Sequence, residues 1–123
     1  MPEGTVVVNL PFPVSTNALF SNGRSGGQRS PRDAEWHQEA GYALMVQRPK
    51  RTKGPVILSC LVQEGRDGRK RDITNLIKGP EDLLVEHGII EADDHTIVRE
   101  VKLKWSKEVE GIQIRIMPAG EVA

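Results

Sequence analysis

Cysteine is almost absent: Cys60 is the single one in 123 residues, so no disulfide can close within the chain and no thiolate zinc site can be assembled. Its expected role is core filler. The three histidines, His37, His87 and His95, are too scattered for a zinc constellation and read as ordinary surface or core residues. No apolar run approaches the roughly 20 residues that span a bilayer. The opening MPEGTVVVNL lacks the basic start and long apolar stretch of a signal peptide, so a cytoplasmic location with no membrane partner is expected. Net charge is missing too, with 17 Lys and Arg against 17 Asp and Glu. That balance counts against a nucleic-acid partner if composition alone is weighed.

What is present suits one domain over 1–123, because compact domains run about 100–200 residues. Hydrophobic residues at 37% and charged residues at 28% are those of an ordinary soluble protein. The charges, however, are segregated. From Arg48 to Arg71 eight basic residues face only Glu64 and Asp67, a local balance of +6, and from Asp72 to Asp94 seven acids face only Lys78, a balance of −6. Such runs are commonly solvated faces. A positive surface abutting carboxylates is also what a metal nuclease needs, since basic residues hold phosphates while acids hold the cation that attacks one of them.

There is no internal repeat. Thr5–Leu10 is β-branched and ends at Pro11, as a first or edge strand does. Ser21–Ser30 (SNGRSGGQRS) reads as a flexible basic loop carrying Arg24 and Arg29. Pro31–Gln47 carries helix signals: Asp33 near its start, then Trp36, Ala40, Ala43, Leu44 and Gln47 at spacings of three and four, with Pro49 ending it. Pro55–Gln63 is a continuous apolar run bounded by Gly54 and Gly65, expected as a strand covered on both faces. His95–Trp105 alternates, with Ile97, Val101, Leu103 and Trp105 on one side. Ile112–Met117 alternates as well, and a Glu110–Gly111 turn is expected to join these two into a hairpin. The result is an α+β class: a mixed sheet of about four strands with two main helices packed against it.

Asp72–His87 holds most of the acids. On a helical wheel Ile73, Leu76, Ile77, Pro80, Leu83, Leu84 and His87 form a core-facing stripe, beside a polar row of Asp72, Asn75, Lys78, Asp82 and Glu86. A kink or break is expected near Gly79, because Gly79-Pro80-Glu81-Asp82 also reads as a fresh helix start.

After Gly88 turns the chain, Asp93 or Asp94 can come back near the start of that helix. Carboxylates meeting at one point repel unless a hard cation neutralises them, and Mg²⁺ prefers such oxygens. Lys78 adds positive charge for a phosphorane or leaving group. The plainer alternative makes Asp72 an N-cap and Asp93-Asp94 a polar turn, and spacing alone leans toward it.

The run Arg71-Asp72-Ile73-Thr74-Asn75-Leu76-Ile77-Lys78, then Gly88-Ile89-Ile90 and Asp93-Asp94-His95-Thr96-Ile97-Val98, resembles the signature of RusA-type Holliday junction resolvases. That signature is a basic residue, an Asp-x-Asp-Asn-Leu-x-Lys helix, a glycine turn and an Asp-Asp pair entering a strand. Leu10-Pro11-Phe12-Pro13-Val14-Ser15-Thr16-Asn17 is similar to the proline-rich opening of that family. The resemblance covers nearly the whole chain. It implies a homodimer with a mixed sheet and flanking helices that binds four-way junction DNA and cuts two strands of like polarity by symmetric phosphodiester hydrolysis with Mg²⁺ (or Mn²⁺). Two equivalent scissile phosphates would then meet two equivalent sites. Carried over by position, Asp72, Lys78 and Asp94 are catalytic, Asp72 and Asp94 are metal ligands with Asp93 in support, and Arg69, Lys70 and Arg71 contact DNA. Phe20, with Leu19, lies where the family places aromatics near the junction, and a buried role suits either equally well.

One position departs from the pattern. Thr74 replaces the second helix carboxylate, and Glu81 or Asp82 is the candidate substitute. The competing functional class is a structure-selective DNA-binding protein of the same fold that does not cut; a protein-interaction module requires the +6 segment to be merely solvated.

Overall fold

The computed structural model describes residues 3–16 and 30–120. The loop arginines Arg24 and Arg29, together with Leu19, Phe20 and Asn17, lie outside the described residues. The element order is β1 (Val6–Leu10), α1 (Pro31–Gln47), β2 (Val56–Gln63), a 3₁₀ turn (Ile73–Leu76), α2 (Lys78–Glu86), β3 (Val98–Ser106) and β4 (Ile112–Pro118). The α+β class stands: the described residues form one domain with four strands in a mixed sheet and two helices.

Helix α1 has the expected bounds because local signals mark both ends. Ser30 is the N-cap, its Oγ accepting from the Asp33 N–H at 3.1 Å, and Pro31 needs no donor at the first helical position. Arg48 closes the helix in the left-handed region at φ 50°, and Pro49 then prevents resumption. Trp36, Ala40 and Leu44 are buried against the sheet. Gln47 does something else. Its amide pairs with both backbone groups of Asn9, donating to the carbonyl at 2.6 Å and accepting from the N–H at 2.8 Å, and so covers the free edge of β1.

The sheet order is β1-β4-β2-β3, with β2 parallel to β3 and β4 antiparallel to both β1 and β2. The expected β3–β4 hairpin is therefore wrong: β2 lies between those strands. The chain crosses the end of β2 instead, pinned by Gln63, whose N–H donates to the Gly111 carbonyl and whose side chain accepts from the Gly111 N–H, both at 2.9 Å. Gly111 has φ +68°, and a Cβ there would lie 2.1 Å from the Leu10 carbonyl oxygen. Only glycine fits.

The expectation that β2 is covered on both faces is corrected as well. Val56, Leu58, Cys60 and Val62 are buried, whereas Ile57, Ser59, Leu61 and Gln63 are half-exposed. The buried row aligns in register with Ile112, Ile114 and Ile116 of β4 and with Leu103 and Trp105 of β3. Together with Leu76, Leu83, Leu84 and Ile90 these residues form the core. Val101, expected on that inward side, is exposed on the edge strand. Burial pushes the Cys60 thiol up to about 12, so it is unreactive packing.

The break in the acidic segment falls at Ile77, ahead of Gly79. Ile73–Leu76 forms a 3₁₀ turn, and α2 begins at Lys78 with Gly79 and Pro80 buried in its first turn, where a proline costs no hydrogen bond. Leu76, Pro80, Leu83 and Leu84 are buried, as the apolar stripe requires.

Candidate active site

The basic segment does not form one surface. Arg48, Lys50, Arg51 and Lys53 precede β2 and Arg66, Arg69, Lys70 and Arg71 follow it; an eight-residue strand, about 26 Å long, separates the two groups. The second group meets the proline-rich N-terminal segment. Trp36 of α1 donates through Nε1 to the Pro11 carbonyl at 3.1 Å, which places Phe12 beside the arginines. Arg71 and Arg66 stack on its ring, with guanidinium carbons 4.9 and 5.1 Å from the centroid. Thr16 Oγ1 then donates to the Asn75 carbonyl at 2.9 Å, tying this segment to the 3₁₀ turn. Between them lies a cleft of about 260 Å³ lined by Ser15, Lys70, Arg71, Asp72, Asn75 and Leu76.

Asp72 is the exposed residue at the head of the 3₁₀ turn, with extended backbone and no side-chain capping bond. The reading of its side chain as an N-cap is thus not realised. Its carboxylate shares the cleft with Lys70 and Arg71.

Lys78 opens α2 and carries the strongest convergence among the expected site residues. Its Nζ lies 3.1 Å from Asp93 Oδ2 and 3.2 Å from Asp82 Oδ1. Hydrogen bonds to Asp93 and then to Asp82 raise its pKa above the ordinary lysine value. Glu81 stands behind this group, partly buried; desolvation raises its carboxyl pKa, and the neighbouring Asp93 raises it further. Negative charge has accumulated here around one ammonium.

Asp94 points elsewhere. Its Oδ1 accepts from the Thr96 hydroxyl and, at 2.9 Å, from the Thr96 N–H, and its carbonyl accepts from Ile97 and Val98. The Thr96 side-chain bond foremost holds its pKa below the usual aspartate value. The polar-turn reading is accordingly realised at Asp94, while Asp93 reaches Lys78. Thr74 is exposed. Thr74 lies in the 3₁₀ turn and Glu81 in α2, so a single α-helical wheel does not give their relative placement.

The carboxylates of Asp72, Glu81, Asp82, Asp93 and Asp94 are hard oxygen donors of the kind Mg²⁺ takes. In donor chemistry they fit. Among the described residues, however, no three His, Cys, Asp or Glu side chains already converge on one metal position.

Two features escaped the sequence reading. Lys78–Asp82 is an i,i+4 pair that helix spacing signals directly. Asp67 is the second: it sits among the arginines of its own loop, and nothing in the pattern separates it from any solvated acid. His37 is buried between Asp33 and Glu86 at 3.4 Å from each.

No curated protein matches this chain closely enough to serve as a relative. A family model described as endodeoxyribonuclease RusA matches residues 11–117, all but the first ten and last six residues. That span contains the proline-rich segment, the arginine loop, Asp72, Lys78 and the Asp93-Asp94 turn, and on this match the chain belongs to the RusA endodeoxyribonuclease family.

Proposed function

We propose that this chain is a Mg²⁺-dependent, structure-selective endonuclease that resolves Holliday junctions by symmetric cuts, acting as a homodimer. The observation that carries the reading is Lys78 gripped by Asp93 and Asp82 within the span matched by the family. Next to that group in sequence, a cleft joins Lys70 and Arg71 to Asp72. Arg69 and Arg71 hold backbone phosphates through their guanidinium forks and Lys70 as a point charge, which positions the strand without reading its bases. Asp72 and Asp94, with Asp93 in support, are the residues assigned to hold the ion. When bound, Mg²⁺ supplies Lewis-acid activation of the phosphodiester and acidifies the attacking water. Lys78, charged throughout the neutral range, offsets the charge that develops on the phosphoryl oxygens.

A second reading has one observation in its favour: Thr74 stands exposed where the resemblance expects a carboxylate. On that reading the protein binds junctions without cutting them efficiently. A synthetic four-way junction incubated with the protein, with and without Mg²⁺ or Mn²⁺, separates the two. Paired, metal-dependent nicks support the nuclease, retarded but intact junctions support the binder, and neither outcome removes DNA from the account.

A further inference from the structure

Asp67 lies at the centre of the arginine loop. Its two carboxylate oxygens accept a bidentate pair from Arg71, Nη1 to Oδ1 at 2.7 Å and Nη2 to Oδ2 at 2.8 Å. The Arg69 backbone N–H donates to Oδ1 at 3.1 Å, and the Arg66 and Arg69 guanidinium groups each come within 3.9 Å of Oδ2. Three guanidiniums and a backbone donor on one planar anion are more than a single carboxylate needs, and they make the donor set that proteins use for phosphate. The Arg71 and Arg66 guanidiniums also lie over the Phe12 ring, so their orientation does not depend on Asp67 alone. Arg71 also lines the cleft that contains Asp72.

We infer that Asp67 occupies a DNA phosphate site as an internal stand-in, and that binding exchanges its carboxylate for a backbone phosphodiester on Arg66, Arg69 and Arg71. This rests on the DNA-binding part of the function proposed above. The exchange is feasible because Asp67 keeps 33% of its side chain exposed, so an incoming phosphate can reach the guanidinium forks and water can take up the released carboxylate. Gly65 and Gly68 flank Asp67 with positive φ and open space around them, so the loop has room to carry the carboxylate away. A backbone phosphodiester brings the same single negative charge as the carboxylate it replaces and suits the same fork geometry, and the phosphates on either side of it add to the attraction. The consequence is a brake on non-specific binding: one phosphate contact is unavailable until a strand is held well enough elsewhere to displace Asp67.

The test is Asp67→Asn, measured by fluorescence anisotropy on a four-way junction and a linear duplex in EDTA between 50 and 200 mM salt. The side-chain carbonyl of asparagine still accepts from the Arg69 N–H, so the loop keeps its turn. Expected is about tenfold tighter binding to both DNAs, the scale of one charge-assisted hydrogen bond, and a slope of log K against log salt steeper by about 0.9. Glu39→Gln on α1 makes the same change in net charge and should leave the slope unaltered. Adding Arg71→Gln to Asp67→Asn should remove the gain. Equal gains from Asp67→Asn and Glu39→Gln, or weaker binding by Asp67→Asn, overturn the inference while leaving the DNA reading intact. Inorganic phosphate followed on the arginine Nε–H resonances reads the site without DNA. The Asp67→Asn protein should respond at lower phosphate than wild type even if wild type binds no junction; identical responses overturn the exchange.

Discussion

Lys78 and Asp93 are fifteen residues apart in sequence, yet the lysine Nζ lies 3.1 Å from the aspartate Oδ2. The Gly88 turn and the segment after it bring the strand entry back onto the first turn of α2. Asp82, one helical turn further on, closes the other side of the same ammonium at 3.2 Å.

Removing that ammonium leaves Asp82, Asp93 and Glu81 without their shared counter-ion. Lys78→Ala should lower the cleavage rate by about a hundredfold or more while junction affinity changes far less, the pattern of a group acting in the transition state. A matching loss of affinity would make it an ordinary phosphate contact. The lysine pKa is raised, so the stability from these pairs is fully present below about pH 10.5 and is lost as pH rises through the higher folded value. The alkaline limb of a pH–stability profile should therefore flatten in the variant.

Asp72→Asn and Asp94→Asn should each abolish cleavage while junction binding persists or tightens, because lost negative charge weakens cation binding and lessens repulsion of phosphate. For Asp94 the asparagine still accepts from Thr96, so its turn survives; Asp94→Ala removes the acceptor and should also lower Tm. Intact cleavage by Asp94→Asn would confine this residue to its turn.

Glu81 carries a raised pKa whose first cause is burial. A carboxyl shifted upward in the folded state costs stability as pH rises above its ordinary value, and costs nothing below it. Glu81→Gln should accordingly raise Tm at pH 7 by a few degrees and leave it unchanged near pH 3. Its effect on cutting tests whether it substitutes for the carboxylate absent at Thr74: as large a loss as Asp72→Asn supports substitution, and so does a comparable loss in Asp82→Asn. Thr74→Asp should change the rate little if either substitutes, and raise it if the site is degraded.

Gly111→Ala places a methyl group 2.1 Å from the Leu10 carbonyl oxygen at a backbone φ of +68°. Neither obstacle is a side chain that can turn aside. A loss of at least about 2 kcal/mol is expected, lowering Tm by roughly 10 °C in a domain of this size. Urea unfolding reads it directly.

Gln47→Ala uncovers the Asn9 N–H and carbonyl on the outer edge of β1. Two solvent-accessible hydrogen bonds lost should cost about 1–2 kcal/mol, and the exposed edge should promote self-association. Gln47→Glu should lose part of this, since a carboxylate still accepts from the Asn9 N–H but cannot donate to the Asn9 carbonyl; a Gln47→Ala variant as stable and monodisperse as wild type would show that water replaces the amide.

The sequence by itself determined the pieces whose signals are local. Ser30, Pro31 and Pro49 bound α1, β-branched runs mark the strands, and Gly79-Pro80 announces a helix start within two residues of the break at Ile77. Each depends on backbone torsions or caps set by neighbours in the chain. The proline-rich, arginine and paired-aspartate blocks likewise carried the family unaided. Tertiary structure alone decided which strands meet. Alternation assigns each side chain a face but names no partner, so β3 and β4 look like a hairpin until Ile112, Ile114 and Ile116 are found wholly buried between β1 and β2. The charges on Arg99, Glu100, Lys102 and Lys104 suit the exposed edge that β3 occupies. Long-range closure likewise chose Asp93 over Asp94 for Lys78, because adjacent residues leave a turn in different directions. It also placed Phe12 under the arginines, through a hydrogen bond from Trp36 that no spacing in the chain encodes.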